Sequence, residues 1–283
     1  MLQDIKITFI GPGNMAEAML SGILKHKLAK PENILASGPL VDRNEELQKK
    51  YKIVTFTNNN EAASQGNVVI LSVKPQRLHK VLEGLRGSVR KDTLVLSIVA
   101  GASIGKIERF LDHKKIVRSM PNTPAQIGEG ITVWYPSASV TDKEKEIART
   151  ILNAFGQEVL VDEEEYLDKA TALSGTGPAY VYLFMEAMVD AGVHMGFSRR
   201  IAEQLVTATV RGSVNFYDKD GFDMRHLAAF RNQVTSPGGT TAEALYYLEK
   251  AGFRTAISRA IWAAFQRSKE LGQDADTHPP EKN

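Results

Sequence analysis

The chain has 283 residues, with 35 lysine and arginine residues against 33 aspartate and glutamate residues, and it contains no cysteine. This length predicts about two domains. The lack of cysteine excludes a disulfide framework, a thiolate metal site and a cysteine nucleophile, and we expect no metal site. The balanced charge argues against a dedicated nucleic-acid binder. No apolar stretch approaches the roughly 18–20 residues that span a bilayer, and no leader-like pattern opens the sequence. We therefore expect a cytoplasmic protein with no nucleic-acid or membrane partner.

The first half of the chain alternates strand-like and helix-like segments. A β-branched run at residues 5–10 and continuous apolar runs at residues 68–73 and 94–99 predict strands, while residues 14–26 and 44–50 have helical character. This alternation predicts βαβ units in a mostly parallel sheet with helices on both faces.

The second half is helical and alanine-rich from about Tyr166 onward. Apolar residues at a helical period predict a long helix over residues 255–271. No lysine or arginine lies between Lys169 and Arg199, so a helix there is either part of a subunit interface or the central helix of one monomer. Residues 273–283 contain Pro279-Pro280 and few apolar side chains, which predicts a disordered tail.

A glycine-rich turn follows the first predicted strand. Residues 11–16 read Gly-Pro-Gly-Asn-Met-Ala, which is G-x-G-x-x-A between a strand and a helix, as the dinucleotide-binding fingerprint requires. Gly11 permits the tight turn, Gly13 lets a pyrophosphate approach the backbone, and Ala16 lets the helix pack closely on the strand. The helix N-terminus would then present N–H groups to the phosphates. The alternative is a glycine turn that binds nothing.

The end of the second predicted strand, a short apolar run at residues 34–36, bears on the choice of cofactor. NAD sites usually carry an acid about 20 residues after the turn, where it bonds the ribose 2′-hydroxyl. Here residues 36–39 read Ala-Ser-Gly-Pro, and the first acid is Asp42. Ser37 would not repel a 2′-phosphate and Arg43 could pair with one, so we expect NADPH, with NADH as a weaker donor. The alternative is that this segment is only a turn.

Lys74 closes the strand predicted at residues 68–73. It lies at the carboxyl edge of the predicted sheet, where ligands bind in such folds. Its side chain either faces the cofactor or is a solvated strand end.

Four further segments narrow the family. They are residues 97–101 (Ser-Ile-Val-Ala-Gly), 118–124 (Arg-Ser-Met-Pro-Asn-Thr-Pro), 173–180 (Leu-Ser-Gly-Thr-Gly-Pro-Ala-Tyr) and 233–241 (Gln-Val-Thr-Ser-Pro-Gly-Gly-Thr-Thr). Together with residues 11–15 and 73–76, they resemble pyrroline-5-carboxylate reductase, the last enzyme of proline biosynthesis. The resemblance runs in order from about Ile5 to Leu271, and the Ser-Pro-Gly-Gly-x-Thr segment is its most specific part. Val99 and Thr176 depart slightly from the family pattern without removing a functional group.

The resemblance implies an α/β fold class with two domains. A Rossmann-like dinucleotide-binding domain would occupy residues 1–164, and an all-α substrate and dimerisation domain would occupy residues 165–272. The chain would assemble with itself as a homodimer or a larger homo-oligomer. By resemblance, the residues that contact the cofactor are Gly11, Pro12, Gly13, Asn14, Met15, Ser37, Asn59, Val73, Lys74, Pro75, Ala100 and Gly101. Those that hold the substrate carboxylate are Ser236, Gly239, Thr240 and Thr241.

The chemistry of the segment 233–241 supports, independently of the resemblance, its assignment as the site of the substrate carboxylate. Thr240 and Glu243 have the spacing of a capping box, with Thr240 as the N-cap. Residues 237–239 would then lead into a helix N-terminus, where glycine N–H groups, hydroxyls and the helix dipole favour an anion. The alternative is an ordinary turn that enters a helix.

The implied reaction is hydride transfer from NADPH to the imine carbon of 1-pyrroline-5-carboxylate, a cyclic imino acid, which gives L-proline. The cofactor carries the difficult chemistry and the protein supplies orientation and electrostatics. Thr241 is the candidate for a hydroxyl near the reacting nitrogen, because all six histidines lie outside the motifs.

Two other functions compete with this one. A β-hydroxyacid dehydrogenase-like oxidoreductase would rely on a lysine in the helix after the segment 174–177, and this sequence has none there. A non-catalytic NADPH-binding protein would have no need of Ser236 and Thr241 beside a cofactor domain.

Overall fold

The structure is a computed structural model that describes residues 2–219 and 226–277. The described residues form two compact units. The first contains the chain up to Gly177 and from Ala263 on, and the second contains Pro178–Trp262. The domain division expected at residues 164/165 stays a prediction.

The first unit is built around one eight-stranded sheet in the order β3-β2-β1-β4-β5-β6-β7-β8. β1 to β6 are parallel, β7 is antiparallel to β6, and β8 is parallel to β7. The strands are β1 Ile7–Ile10, β2 Ile34–Ser37, β3 Val54–Phe56, β4 Val68–Leu71, β5 Leu94–Ser97, β6 Ile116–Met120, β7 Gly130–Pro136 and β8 Gly156–Leu160.

Helices cover both faces of this sheet. Alternate residues of a strand point to opposite faces, and in β4 Val68 and Ile70 belong to one core, whereas Val69 and Leu71 belong to the other. The mostly parallel sheet predicted from the apolar runs is confirmed. Up to Gly177, the α-helices of this unit are α1 Asn14–Lys25, α2 Val41–Tyr51, α3 Asn59–Gln65, α4 Pro75–Leu85, α5 Ile104–Leu111, α6 Asp142–Leu152 and α7 Tyr166–Ala170.

The rest of the described chain is helical. After a π-helical turn at Thr171–Gly175, the helices are α8 Gly177–His194, α9 Arg199–Lys219, α10 Leu227–Gln233, α11 Thr240–Lys250 and α12 Phe253–Thr277. The α/β sheet followed by helices confirms the expected fold class. α12 contains the helix predicted at residues 255–271 and extends into the predicted tail, whose residues 278–283 lie outside the described residues. Among the helices described, none is long and apolar enough to cross a membrane.

Candidate cofactor and substrate sites

The glycine-rich turn lies where the strand order reverses. β1 has β2 on one side and β4 on the other, so the connections from β1 and β4 leave the sheet in different directions, which is where ligands bind in such sheets. Gly11 has φ of 94°, and a Cβ there would lie 2.6 Å from Val73 Cγ1. The Ser72 hydroxyl lies within hydrogen-bond distance of two carbonyl oxygens, that of Ile10 at 3.1 Å and that of Gly11 at 2.9 Å, and can donate to either. The two loops are therefore held together in a way that only glycine at position 11 allows.

Gly13 is the N-cap of α1 and leaves open space at the start of the helix. Its φ is −80°, and an added Cβ would meet no described atom within 4 Å. Its N–H donates to the Gly11 carbonyl at 2.8 Å, and its own carbonyl accepts from the Glu17 N–H at 2.9 Å. The first three N–H groups of α1 have no acceptor within the helix and favour an anion. The turn therefore fits the pyrophosphate of a dinucleotide.

Ser37 and Asn59, both expected to contact the cofactor, meet at the end of β2. Ser37 is fully buried, and its hydroxyl donates to Asn59 Oδ1 at 2.8 Å. Asn59 is the first residue of α3, and its position is fixed by the N-cap Asn58, whose Oδ1 accepts from the Asn60 N–H at 2.9 Å. Residues 37–40 carry no carboxylate, so this strand end has no acid that would repel a 2′-phosphate.

Arg43, which the sequence offers as a possible partner of a 2′-phosphate, binds other groups. Its Nη1 donates to Glu46 Oε2 at 2.6 Å, its Nη2 pairs with Glu17 Oε2, and its Nε donates to the Pro12 carbonyl at 3.1 Å. A phosphate that took up this guanidinium would have to displace two carboxylates.

Glu17 is the centre of a small ionic cluster. Its Oε1 accepts from Lys50 Nζ and from the Tyr51 hydroxyl, each at 2.8 Å, and its Oε2 accepts from Arg43. Partial burial alone would raise the pKa of Glu17, but the hydrogen bonds from Lys50, Arg43 and Tyr51 outweigh burial and lower the pKa from 4.5 to about 2. Glu17 is therefore a carboxylate at neutral pH and joins α2 to the first turn of α1.

Replacing Glu17 by glutamine is expected to flatten the acid dependence of stability. A carboxyl group with a lowered folded-state pKa stabilises the protein above its unfolded pKa, near 4.5 here, and this stability is lost as pH falls toward about 2. The variant should lose roughly 1–2 kcal/mol at pH 7, less than the full shift implies because the cluster is partly solvated. Urea denaturation between pH 7 and pH 3 measures both effects. Glu45→Gln on the exposed side of α2 is the control, and parallel profiles for wild type and Glu17→Gln would contradict the prediction.

The other expected cofactor residues of the first unit lie on the loops after β4 and β5. Lys74 is the N-cap of α4 and is exposed, and Pro75 is the first residue of that helix. Gly101 has φ of 69°, and a Cβ there would lie 3.1 Å from the Gly272 nitrogen. The loops that carry the expected cofactor residues therefore follow β1, β2, β4 and β5 at one edge of the sheet, with Asn59 at the start of α3.

The loop before α11, in the second unit, carries the four expected substrate residues. Gly238 has φ of 69°, and the Gly239 N–H donates to the Ser236 carbonyl at 3.1 Å. A Cβ at Gly239 would clash with Ser236 Oγ. The Ser236 hydroxyl therefore lies against the start of α11, whose first two residues are Thr240 and Thr241.

The predicted capping box is wrong. The N-cap of α11 is Gly239 rather than Thr240, and no side chain caps the helix. The Glu243 N–H donates to the Gly239 carbonyl at 3.2 Å, which starts the helix one residue earlier than predicted. Because glycine has no side-chain oxygen, the first N–H groups of α11 remain available to an external anion.

Two residues that shape the cofactor site escaped the sequence analysis. Ser72 follows an apolar strand without any local signal. Glu17 could have been noticed because Arg43 and Lys50 are seven residues apart and so share one face of a helix, where an acid next to the glycine-rich turn could meet both.

Comparison with known proteins identifies the family. Residues 164–271 match the family model described as pyrroline-5-carboxylate reductase dimerisation, and residues 6–101 match the one described as NADP oxidoreductase, coenzyme F420-dependent. A pyrroline-5-carboxylate reductase of Synechocystis is 41% identical over 270 residues, 95% of this chain and 99% of that protein. The chain belongs to the pyrroline-5-carboxylate reductase family. The resemblance described above is thereby confirmed.

Solved structures of the same family have the same fold. A pyrroline carboxylate reductase of Plasmodium falciparum with NADP bound matches with a TM-score of 0.86 at 34% identity, over 95% of this chain and 99% of that chain. A pyrroline-5-carboxylate reductase of Coxiella burnetii matches with a TM-score of 0.85 at 35% identity, over 94% and 98% of the two chains.

α8 lies in the interval between Lys169 and Arg199 that has no lysine or arginine, and it exposes large apolar side chains in the single chain. In α8, Tyr182 is 63% and Leu183 is 67% exposed, and Phe184 is also exposed. This exposure argues against the alternative of a helix buried at the centre of one monomer. α8 lies within the residues that match the dimerisation family model, and its place in a subunit interface stays a prediction.

Proposed function

We propose that the protein is an NADPH-dependent pyrroline-5-carboxylate reductase. It transfers a hydride from NADPH to the imine carbon of 1-pyrroline-5-carboxylate while the ring nitrogen takes up a proton, and so yields L-proline and NADP⁺. The observation that carries this proposal is the match to one family along 95% of the chain, which includes both the glycine-rich turn and the Ser-Pro-Gly-Gly loop. The related structure with NADP bound supports the choice of nucleotide.

The cofactor would be held by the loops at the carboxyl edge of the sheet. The open N-terminus of α1 at Gly13 takes the pyrophosphate, and the Ser37–Asn59 pair lies where the adenosine ribose binds in such folds. The bound nucleotide supplies the hydride. The full set of proposed cofactor residues is Gly11, Pro12, Gly13, Asn14, Met15, Ser37, Asn59, Val73, Lys74, Pro75, Ala100 and Gly101.

The substrate carboxylate would be held by the loop before α11. Ser236, Thr240 and Thr241 supply hydroxyl groups, and Gly239 supplies an N-cap without a side chain. An anion at a helix N-terminus is stabilised by the N–H groups and by the helix dipole. Fixing the ring by its carboxylate orients the imine carbon for hydride transfer.

The two competing functions have less support. A β-hydroxyacid dehydrogenase-like enzyme needs a lysine after the segment 174–177, and the interval between Lys169 and Arg199 has neither lysine nor arginine. A non-catalytic NADPH-binding protein would not explain why the loop before α11 is exposed and leaves the helix N-terminus without a side-chain cap. The homo-oligomer is expected from the dimerisation family, while the cytoplasmic location and the absence of nucleic-acid partners stay predictions.

The decisive experiment follows the absorbance of reduced nicotinamide after mixing the purified protein with 1-pyrroline-5-carboxylate. Consumption of NADPH with formation of proline, faster than consumption of NADH, is the expected result. NADPH binding without turnover would refute the proposed reaction and leave the cofactor assignment standing. A clear preference for NADH would refute the choice of cofactor.

Replacing Thr241 by alanine tests the role of the loop. If Thr241 anchors the carboxylate, KM for the imine should rise about tenfold, as for the loss of a hydrogen bond to a charged group, with kcat little changed. A fall in kcat with KM intact would instead make Thr241 a proton-transfer residue. Thr150→Ala in α6 is the control, because it removes a threonine hydroxyl outside the loop before α11, one that donates to the Glu146 carbonyl of its own helix.

A further inference from the structure

The glycine-rich turn is held at Pro12 from two sides. Pro12 is buried, and a Cβ on Gly38 would lie 2.7 Å from Pro12 Cδ, so the loop after β2 packs directly on the proline ring. The carbonyl of Pro12 accepts from Arg43 Nε at 3.1 Å. The next N–H, that of Gly13, donates to the Gly11 carbonyl at 2.8 Å. Because the peptide is planar, these two hydrogen bonds fix the orientation of the Pro12–Gly13 peptide.

Arg43 is itself fixed by carboxylates on two helices. Glu17 belongs to α1 and Glu46 to α2, and each pairs with a different Nη atom of the guanidinium. The side chain of Arg43 is only 21% exposed. Burial alone would lower the pKa of Arg43, but the hydrogen bonds to Glu17 and Glu46 raise it, so the guanidinium stays charged and keeps its direction.

This arrangement is unfavourable for a phosphate ligand. A 2′-phosphate on Arg43 would approach the carboxylates of Glu17 and Glu46 and be repelled by both. Glu17 also pairs with Lys50 at 2.8 Å, so the second cation of the cluster is neutralised by a carboxylate as well. Two carboxylates and two cations leave the cluster without net positive charge to attract a phosphate.

We propose that Arg43 is a positioning residue of the pyrophosphate-binding turn and does not bind the 2′-phosphate. By holding the Pro12 carbonyl, it keeps that carbonyl oxygen away from the phosphates and sets the direction in which the chain enters α1. Glu17 keeps Arg43 in place. The inference rests on the proposed function, since it assumes that the turn binds a nicotinamide dinucleotide.

Binding of NADPH and NADH separates the two roles of Arg43. The fluorescence of reduced nicotinamide, titrated into wild type, Arg43→Met and Arg43→Lys, gives Kd for each nucleotide. A positioning residue acts on the pyrophosphate, which both nucleotides share. Both Kd values should therefore rise by the same factor of about ten in Arg43→Met, the size of a lost hydrogen bond from a charged group. The ratio of the two Kd values should stay constant. In Arg43→Lys the charge remains but the fork that joins Pro12, Glu17 and Glu46 is lost, so both values should again rise together.

Glu17→Gln distinguishes most sharply between a positioning role and a phosphate-binding role of Arg43. It loosens Arg43, so a positioning role predicts weaker binding of both nucleotides, whereas a phosphate-binding role predicts tighter binding of NADPH alone. Lys49→Met, an exposed change on the same helix, is the control, and circular dichroism checks that each variant is folded. A selective change in Kd for NADPH, or unchanged Kd values in all three variants, would overturn the inference. Wild-type protein that binds neither nucleotide would instead refute the proposed function.

Discussion

Replacing Gly13 by valine is expected to abolish NADPH binding while the protein stays folded. The backbone at Gly13 has φ of −80° and ψ of −173°, an extended conformation that valine adopts, and a Cβ there meets no described atom within 4 Å. Loss of a favourable N-cap costs only about 1 kcal/mol. The added side chain would, however, occupy the space through which the pyrophosphate reaches the first N–H groups of α1. Losing two or more hydrogen bonds to a charged group weakens binding by at least about a hundredfold.

Nucleotide titration and thermal denaturation of the same samples test this separation of binding from folding. Gly105→Val is the matched control, because Gly105 lies in α5 with no described atom within 4 Å of an added Cβ, and the variant should bind NADPH normally.

Gly11→Ala, in contrast to Gly13→Val, should lower the stability of the fold. A Cβ there would lie 2.9 Å from the Val73 nitrogen at φ of 94°, so stability should fall by about 2 kcal/mol. Wild-type affinity in Gly13→Val would show that the pyrophosphate does not approach this turn.

The fold could be predicted wherever a local pattern carries the information. β1, β4 and β5 are apolar runs that a sheet buried on both faces requires, and the glycine-rich turn marks the entry to α1. β3 and β8 could not be recognised in this way, because Val54 is exposed and β8 is exposed or half-buried along its length. Their pairing depends on the neighbouring strands that are already in place.

The candidate sites were predictable in position but not in detail. The resemblance pointed to Ser37 and Asn59, which the structure joins by a hydrogen bond. The cap of α11 was misplaced by one residue, because Thr240 and Glu243 have capping-box spacing whether or not the helix begins at Gly239. The only sequence signal for the pairing of Arg43 with Glu17 is the helix face that Arg43 shares with Lys50, because Arg43 and Glu17 are 26 residues apart and meet only when α1 and α2 pack side by side.

The largest effect on stability is expected at Arg118, a buried arginine in β6. Its side chain is 4% exposed, and it donates to Glu164 Oε1 at 3.0 Å and to Asp168 Oδ1 at 2.9 Å. Asp168 also accepts from the Ser268 hydroxyl at 2.8 Å, and Glu164 accepts from the Ile104 N–H at the start of α5 at 2.8 Å. This cluster joins β6, α5, α7 and the last turns of α12, next to the Gly101 turn that α12 also contacts.

Replacing Arg118 by methionine should destabilise the protein by about 3 kcal/mol, because it leaves two neighbouring carboxylates without their cation in a largely buried place. Chemical denaturation at one fixed protein concentration measures the loss, since the stability of an oligomer depends on concentration. The matched control is Lys145→Met, whose partner Asp142 is 97% exposed, and which should change stability by less than about 0.5 kcal/mol. Adding Asp168→Leu to Arg118→Met should recover part of the loss, since it removes one of the two uncompensated charges. If Arg118→Met is no less stable than Lys145→Met, the cluster contributes nothing to the stability of this unit, and the position of α12 against Gly101 must depend on packing alone.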